Sequence, residues 1–479
     1  MERGPVVTEL SGSLSAADTF RLFHTEPFAF FLDSGMNPAD LGRYSFIGVD
    51  PFLVFKSRGD RLIFADAHGS QTGRGDPFEA LRRLLSEYAI QAHDLPTPLP
   101  AGAVGYLGYD LCHFIEHLPA TALDDLRIPD CCLAFYDVAI TFDHAEGRAY
   151  IVSSGLPERD ERERLDRAER RLKETEDRLL TALRQPHPPA ADTRPGVGTN
   201  LRSNFTRQGY LGAVEAAREY IAAGDIFQVN LSQRFESDFL GDPYDLYQHL
   251  RSINPAPFAA YLGFDDVVVV SASPERFLKV NGDLVETRPM KGTRPRGTST
   301  AEDERLAREL LNSVKDRSEN VMIVDLERND LGRVCRFGTV QVRELWTLEK
   351  YATVFQLTST VEGRLAEGKD RIDLLRACFP GGSITGAPKV RAMQIIDELE
   401  PTRRGVYTGC IGYLSFSGEM DLNIVIRTIV IKDGKAYFQV GGAVTYDSEP
   451  EREYQETMDK AKALFQALSV SPWSPVVTS

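Results

Sequence analysis

Leu422-Asn423-Ile424-Val425-Ile426-Arg427-Thr428-Ile429-Val430-Ile431-Lys432-Asp433-Gly434-Lys435-Ala436-Tyr437-Phe438-Gln439-Val440 is the stretch that decides the fold. Two apolar runs, rich in β-branched and aromatic residues, flank Asp433-Gly434, a dipeptide suited to the positive φ of a two-residue hairpin turn. Folding about that turn sets Arg427 opposite Val440, beside Gly441-Gly442. With Tyr407 to Phe416 and a Ser417-Gly418 turn ahead of it, the region reads as a meander of strands 407–416, 422–431 and 435–440. Consecutive hairpin-linked strands argue against a doubly wound parallel sheet, where strands alternate with crossover helices. The expected class is α+β, with largely antiparallel sheets flanked by helices.

The run 422–431 is almost continuously apolar, as in a strand covered on both faces, yet it contains Arg427. A buried guanidinium needs an anion, either an internal Asp or Glu or a ligand carboxylate. Gly441 and Gly442 leave backbone N–H groups open to such an anion.

A second hairpin is expected upstream. Val267 to Val270 reads as a buried strand, and Phe277 to Val280 and Asp283 to Glu286 flank Asn281-Gly282. If Val280 faces Asp283, Glu275 faces Arg288, and Lys291 lies about 10 Å further on if extended. Pro289 and Gly292 let Arg288-Pro289-Met290-Lys291-Gly292-Thr293 bend back toward Glu275. Most lysines are solvated charges. An amine held near a carboxyl at the open end of a hairpin is a candidate nucleophile.

Phe379-Pro380-Gly381-Gly382-Ser383-Ile384-Thr385-Gly386-Ala387-Pro388-Lys389 lacks the G-x-x-x-x-G-K-[ST] register of a phosphate loop, which excludes nucleotide binding by that route. Pro388 suits a helix start, with Val390, Met393 and Ile396 on one face. Two acidic helices offer carboxylates: Asp316, Glu319 and the later Asp325 on one, and Glu449, Glu453 and Glu456 on the other. Each set also fits ordinary helical ion pairing, such as Glu456 with Lys460. Facing one site, they would suit Mg²⁺.

The chain has 479 residues, is 42% hydrophobic and carries a formal net charge of −15, which argues against general nucleic-acid binding. It has no apolar run long enough for a membrane helix and no signal-peptide pattern at Met1, so a cytoplasmic location is expected. The six cysteines lack zinc-ligand spacing and read as reduced, buried thiols. All histidines lie at or before His249, leaving carboxylates, lysine, tyrosine or water for acid–base work in the C-terminal half.

Short apolar runs at Phe28–Leu32, Tyr44–Val49, Phe52–Phe55 and Leu62–Ala65 make the first 150 or so residues strand-rich. A charged helix is expected over Glu158 to Arg184, then a proline-bearing linker over Gln185 to Asn200. The expected division is a strand-rich subdomain with its charged helix at 1–190 and a catalytic domain at 200–470. A final helix should start near Ser448, where Ser448 and Glu451 have capping-box spacing, with Tyr454, Met458, Ala461, Phe465 and Leu468 on its apolar face.

Taken together, Asp225 to Ser232, Ser273 to Phe277, Arg288 to Thr293, Gly381 to Lys389, Tyr407-Thr408-Gly409 and Glu453 to Thr457 resemble the chorismate-utilising enzyme family. The resemblance spans nearly all of Ser203 to Val470, and it is greatest to the family's aminodeoxychorismate synthase component I branch. It implies a mixed α/β chorismate-binding fold. It also implies Mg²⁺ held by Glu319 and Glu456 with Glu453 nearby, and a substrate carboxylate oriented by Tyr407, Arg427, Gly441 and Gly442. Glu275 is then the acid at the departing C4 hydroxyl. Thr293 and Gly386 fall at matched substrate-binding positions. Gln228 stands where water-adding relatives carry a lysine base, and Gln356 stands where many relatives carry histidine. The segment that often forms a tryptophan pocket reads Phe31-Leu32-Asp33-Ser34, which departs from that pattern.

Lys291 matches the aminodeoxychorismate branch, whereas anthranilate synthases usually carry alanine there. The implied reaction is amination of chorismate to 4-amino-4-deoxychorismate through a Lys291 adduct, with ammonia from a separate glutamine amidotransferase subunit and p-aminobenzoate and folate synthesis downstream. The competing readings are anthranilate synthase component I and a non-catalytic regulatory or binding homologue.

Overall fold

The computed structural model describes residues 4–11, 15–34, 41–91, 95–184, 199–265, 267–351 and 354–470. Two twelve-stranded sheets, with antiparallel pairing throughout their ladders, form its centre, and helices cover their outer faces. One sheet runs, in spatial order, Val6–Glu9, Arg148–Ser153, Val138–Asp143, Tyr44–Gly48, Ala29–Asp33, Phe258–Phe264, Val267–Ser273, Thr428–Lys432, Lys435–Val444, Gln228–Asp238 and Thr199–Ser203. The short strand Gly386–Ala387 pairs with Gln228–Asp238. The other sheet begins Met290–Pro295, Val354–Arg364, Leu284–Thr287, Arg276–Asn281, Met420–Asn423 and Cys410–Ser415, and continues into strands from residues 53–136. Segments 1–190 and 200–470 therefore both contribute strands to both sheets.

Alternation of side chains explains the long apolar runs. In Val267–Ser273, Val267 and Val269 point into the core between the sheets with Val104, Ile411 and Val430. Val270 and Ala272 point outward, under the helices Pro243–Ile253 and Pro450–Ala467. A strand buried on both faces needs no polar alternation.

The 422–440 stretch departs from expectation in one respect. Its Asp433-Gly434 hairpin has the expected register, with Ile429 opposite Phe438 and Lys432 opposite Lys435. Residues 422–431, however, do not form one strand. Met420–Asn423 belongs to one sheet and Thr428–Lys432 to the other, and Ile424 to Arg427 carry the chain between them. The neighbouring segment crosses at the same level, since Val267–Ser273 and Arg276–Asn281 also lie in different sheets. The two crossings are bonded together. The Ile424 N–H donates to the Glu275 carbonyl at 3.0 Å, the Ala272 N–H donates to the Arg427 carbonyl at 3.1 Å, and the Ser273 hydroxyl donates to the Ile424 carbonyl.

The second hairpin slips from its expected register. Asn281 pairs with Leu284 and Val280 with Val285, so the turn is Gly282-Asp283. Gly282 takes φ +62 while Asp283 stays at negative φ, as in a turn that needs left-handed backbone only at its first position. The slip moves Glu275 toward Met290, one residue from Lys291.

The helix Glu161–Arg184 buries Ala168, Leu172 and Leu179 on the sheet, and Arg167 and Arg171 approach buried Asp137 at 3.2 and 3.4 Å. Of the expected linker, 185–198 lie outside the described residues, and Thr199 and Asn200 open a strand. The last helix spans Pro450–Ala467 with Glu449 at its N-cap, so Ser448 caps nothing. The Ser448 hydroxyl instead donates to Glu453 Oε1 at 2.6 Å. No described helix is long and apolar enough to cross a membrane.

Candidate active site

The paired crossings place Glu275 and Arg427 at the seam between the sheets. Glu275 is 5% exposed, and burial pushes its carboxyl up to about 7 against the opposing pull of the Ser383 hydroxyl, Lys291, the Met290 N–H and Arg427. Arg427 holds φ +51. Burial lowers its pKa, Tyr351 and Glu275 are the groups that favour its charge, and among the described residues no carboxylate hydrogen-bonds its guanidinium. Of the two alternatives for this cation, the internal ion pair is not formed, and an anion-receptive guanidinium remains.

Lys291 enters from the strand Met290–Pro295, whose ladder with Val354–Arg364 pairs Lys291 with Leu357 and then, after a shift at Gly292, Thr293 with Gln356. Gly292 sits at φ +82, and a Cβ there would lie 2.8 Å from Leu310 Cδ1 and 3.0 Å from Asp316 Cβ. Only glycine lets this strand bend so closely under the helices Thr300–Asn312 and Val314–Gly332. The Lys291 Nζ reaches the Ser383 carbonyl at 3.5 Å. Burial lowers its pKa, Lys460 adds to that, and Glu319, Glu275 and Glu456 oppose it.

The loop Gly381–Thr385 forms a backbone wall opposite Lys291. Asn230 N–H donates to the Thr385 carbonyl at 2.8 Å, and Arg404 donates to the Ile384 carbonyl at 2.9 Å. Gly386, at φ +149, lies so near the next strand that a Cβ would meet the Gln228 carbonyl at 2.2 Å. Gln228 is fully buried with both side-chain polar atoms unpartnered, and Gln356 is 1% exposed with its Oε1 unpartnered. Unpaired buried amides are costly unless a ligand satisfies them. Tyr407 is buried with its hydroxyl beside Gly441, 3.0 Å from a Cβ position there. Thr293, by contrast, is exposed, and its carbonyl accepts from Arg294.

Carboxylates gather beside this wall. Gly442 faces Glu453 Oε2 and Glu456 Oε1, which would lie 3.3 and 3.6 Å from a Cβ on it. Glu453 Oε2 is buried without a partner. Burial chiefly raises the Glu319 and Glu453 carboxyls, and Glu456 acts on both in the same direction. Burial alone would raise Glu456, but Lys460, paired with it at 2.7 Å, and more distantly Lys291 and Lys315 hold it low. Oxygen-only donors with one orphaned oxygen and mutual repulsion fit a hard divalent cation. Among the described residues no three Asp, Glu, His or Cys side chains close on one point, so water or substrate oxygens would complete the shell.

The other acidic candidates lie elsewhere. Asp325 is 78% exposed at its side chain and pairs with Arg328, Glu449 faces solvent and pairs with Arg452, and Asp316 pairs with Arg294. On a helix that turns about 100° per residue, one face cannot hold 319 and 325 together.

A family model described as chorismate binding enzyme matches residues 28–466. The chain belongs to the chorismate-binding enzyme family. Aminodeoxychorismate synthase component 1 of Bacillus subtilis is 41% identical over 441 residues, 90% of this chain and 90% of that protein. Anthranilate synthase component 1 of Cereibacter sphaeroides is 43% identical over 453 residues, 91% of this chain and 88% of that protein. The crystal structure of anthranilate synthase component I from Streptococcus pneumoniae has a TM-score of 0.78 at 35% identity, covering 88% of this chain and 91% of that one.

In this chorismate-binding enzyme Lys291 interacts electrostatically with Glu275, Glu319 and Glu456, and Arg427 with Glu275, while Glu453 and Glu456 face Gly442, Tyr407 faces Gly441 and Gly386 lies against Gln228; Gln356 joins them only through its ladder pairing with Thr293. Thr293 faces out. Ser383, whose carbonyl meets Lys291 and whose hydroxyl meets Glu275, is invisible to a reading of the sequence because a peptide carbonyl has no residue-type signature. Lys460 is legible there only as the partner of Glu456, yet its Nζ also donates to the Gly441 carbonyl at 2.9 Å.

Proposed function

We propose that this chain aminates chorismate with ammonia to give 4-amino-4-deoxychorismate. The reading rests on the meeting of Lys291 and Glu275 at Ser383, which brings together an amine and a carboxyl whose burial pushes it up to about 7. The neutral Lys291 amine attacks C2 of the ring while Glu275 protonates the C4 hydroxyl, which leaves as water. Ammonia then attacks C4, the bond from C2 to the lysine nitrogen breaks with its electron pair returning to Lys291, and the extra proton on the new amine returns to Glu275. The sum is chorismate plus ammonia giving aminodeoxychorismate plus water, with the enolpyruvyl ether intact.

Each residue's environment supports its part. Desolvation keeps a share of Lys291 neutral, as a nucleophile requires. A carboxyl near 7 keeps about half its population protonated at neutral pH, enough to supply a general acid. Arg427, Tyr407 and the backbone at Gly441 and Gly442 would receive one substrate carboxylate. Glu319 and Glu456, with Glu453, would hold Mg²⁺, whose chemistry there is to supply positive charge for the other carboxylate. Ammonia would come from a glutamine amidotransferase subunit, in keeping with relatives named as component 1. The product would feed p-aminobenzoate and folate synthesis in the cytoplasm.

Anthranilate synthesis is the second reading, favoured by the 43% identical relative of that name. Incubating the purified chain with chorismate, Mg²⁺ and ammonium, with and without an aminodeoxychorismate lyase, separates the two by product mass. Anthranilate and pyruvate as main products would refute the preferred reading.

A further inference from the structure

Behind the Gly381–Thr385 wall lies a carboxyl that the mechanism does not use. Glu327, on the helix Val314–Gly332, is 2% exposed and accepts the Gly382 N–H at 3.0 Å through Oε1. Its Oε2 is buried without a hydrogen-bond partner. Asp330, one turn on, is engaged by Lys389, which also donates to the Cys378 carbonyl at 2.8 Å. The cation in this cluster is therefore committed to Asp330 and a backbone oxygen, and Glu327 has the Gly382 amide as its partner.

The Gly382 amide adjoins a residue that touches both reacting groups. Ser383 receives the Lys291 amine on its carbonyl, and its hydroxyl is the group that most opposes the burial of the Glu275 carboxyl. Gly382 packs close against the helix, where a Cβ would lie 2.6 Å from Leu326 Cδ2. Its N–H is held on the helix side, and the next residue carries the carbonyl and hydroxyl that act on Lys291 and Glu275.

We infer that Glu327 is a positioning residue for the Lys291–Glu275 pair, acting through the Gly382 amide to fix the Ser383 carbonyl and hydroxyl. The inference rests on the proposed roles of Lys291 and Glu275. Burial and Asp330 push the Glu327 carboxyl up, so its protonated form, which glutamine imitates, is the relevant one. An acceptor in the right place is what the site needs, and a charge is not.

Three variants separate position from acid chemistry and from bulk. Glu327→Gln keeps an oxygen for the Gly382 N–H, Glu327→Asp keeps the carboxyl but withdraws the acceptor by one methylene, and Glu327→Leu fills the space without an acceptor. With chorismate, Mg²⁺ and ammonium, Gln should retain kcat within about fivefold. Asp and Leu should lose on the order of tenfold to a hundredfold in kcat with little change in the KM for chorismate, as expected when reacting groups move by a fraction of an ångström. If Leu does not fold, the contrast of Asp with Gln carries the test alone. Equal loss in Gln and Asp, or wild-type kcat in Asp, overturns the inference. Should the wild-type chain make no aminated product, the amination reading fails by itself. Glu327 is then judged from the pH dependence of Lys291 acylation, mapped by mass spectrometry on the full chain. Asp differing from wild type while Gln matches it supports the positioning role, and identical profiles in all variants overturn it.

Discussion

Replacing Glu275 by Gln should raise stability at alkaline pH while removing activity. Burial lifts the Glu275 carboxyl from 4.5 to about 7. Folded Glu275 thus binds its proton more tightly than unfolded Glu275, so its contribution is fully favourable below 4.5 and is lost as pH rises through about 7. At roughly 1.4 kcal/mol per unit, the ionised side chain costs about 3 kcal/mol at pH 8 and about 1 kcal/mol at pH 5. Gln is neutral throughout and avoids this cost. With an unfolding entropy of about 2 cal/mol/K per residue over 479 residues, the Tm of Glu275→Gln should exceed wild type by about 3 °C at pH 8 and by about 1 °C at pH 5. Differential scanning calorimetry of both proteins at matched scan rate reads this contrast. Turnover of chorismate should fall about 10²- to 10⁴-fold, since the amide has no acidic proton to deliver. A Tm gain of equal size at both pH values, or a loss at pH 8, would show that Glu275 is not a carboxyl held protonated by burial.

Lys291→Ala should abolish aminated product while the protein stays folded, and a chorismate-derived mass on a peptide containing Lys291 should be trapped in wild type and not in the variant; unchanged product formation would remove Lys291 from the chemistry. Arg404 and Glu400 form an ion pair, 2.7 Å apart, with side chains only 1% exposed. Arg404→Met should therefore destabilise by about 3–5 kcal/mol by leaving the buried Glu400 carboxylate without its cation, which a urea titration can measure. Gly292→Ala meets both a positive φ and a contact of 2.8 Å, so it should cost about 1–3 kcal/mol and depress kcat by displacing Lys291. Arg427→Lys should raise the KM for chorismate about tenfold or more, since a point charge cannot reproduce a two-pronged grip on a carboxylate.

How much of the fold and site is legible in the sequence depends on what each residue type can signal. The Asp433-Gly434 register is readable because turn chemistry and strand composition agree. The break at Ile424–Arg427 is not, because a chain passing between two packed sheets stays apolar on both sides and hydropathy cannot tell which sheet a strand has joined. The hairpin at 281–284 slips because Asn281-Gly282 and Gly282-Asp283 are both acceptable turns, and the ladder with Val354–Arg364 arbitrates between them. Ser448 has the spacing of a cap but is drawn off by Glu453, a preference set by burial. Side chains with distinctive chemistry, such as Lys291 and Arg427, announce themselves. Backbone groups such as the Ser383 carbonyl do not.

Glu275 and Arg427 lie on crossings flanked by paired strands within both sheets, whereas Lys291 lies on Met290–Pro295, the terminal strand of its sheet order. Foldability and reaction outcome are thereby written in separable places. A library randomised at Met290, Lys291 and Thr293, sparing Gly292, should yield mostly folded proteins that differ in product, while the same diversity at Ser273–Arg276 or Ile424–Arg427 should yield mostly unfolded ones. New chemistry on this scaffold is best sought at the sheet's margin.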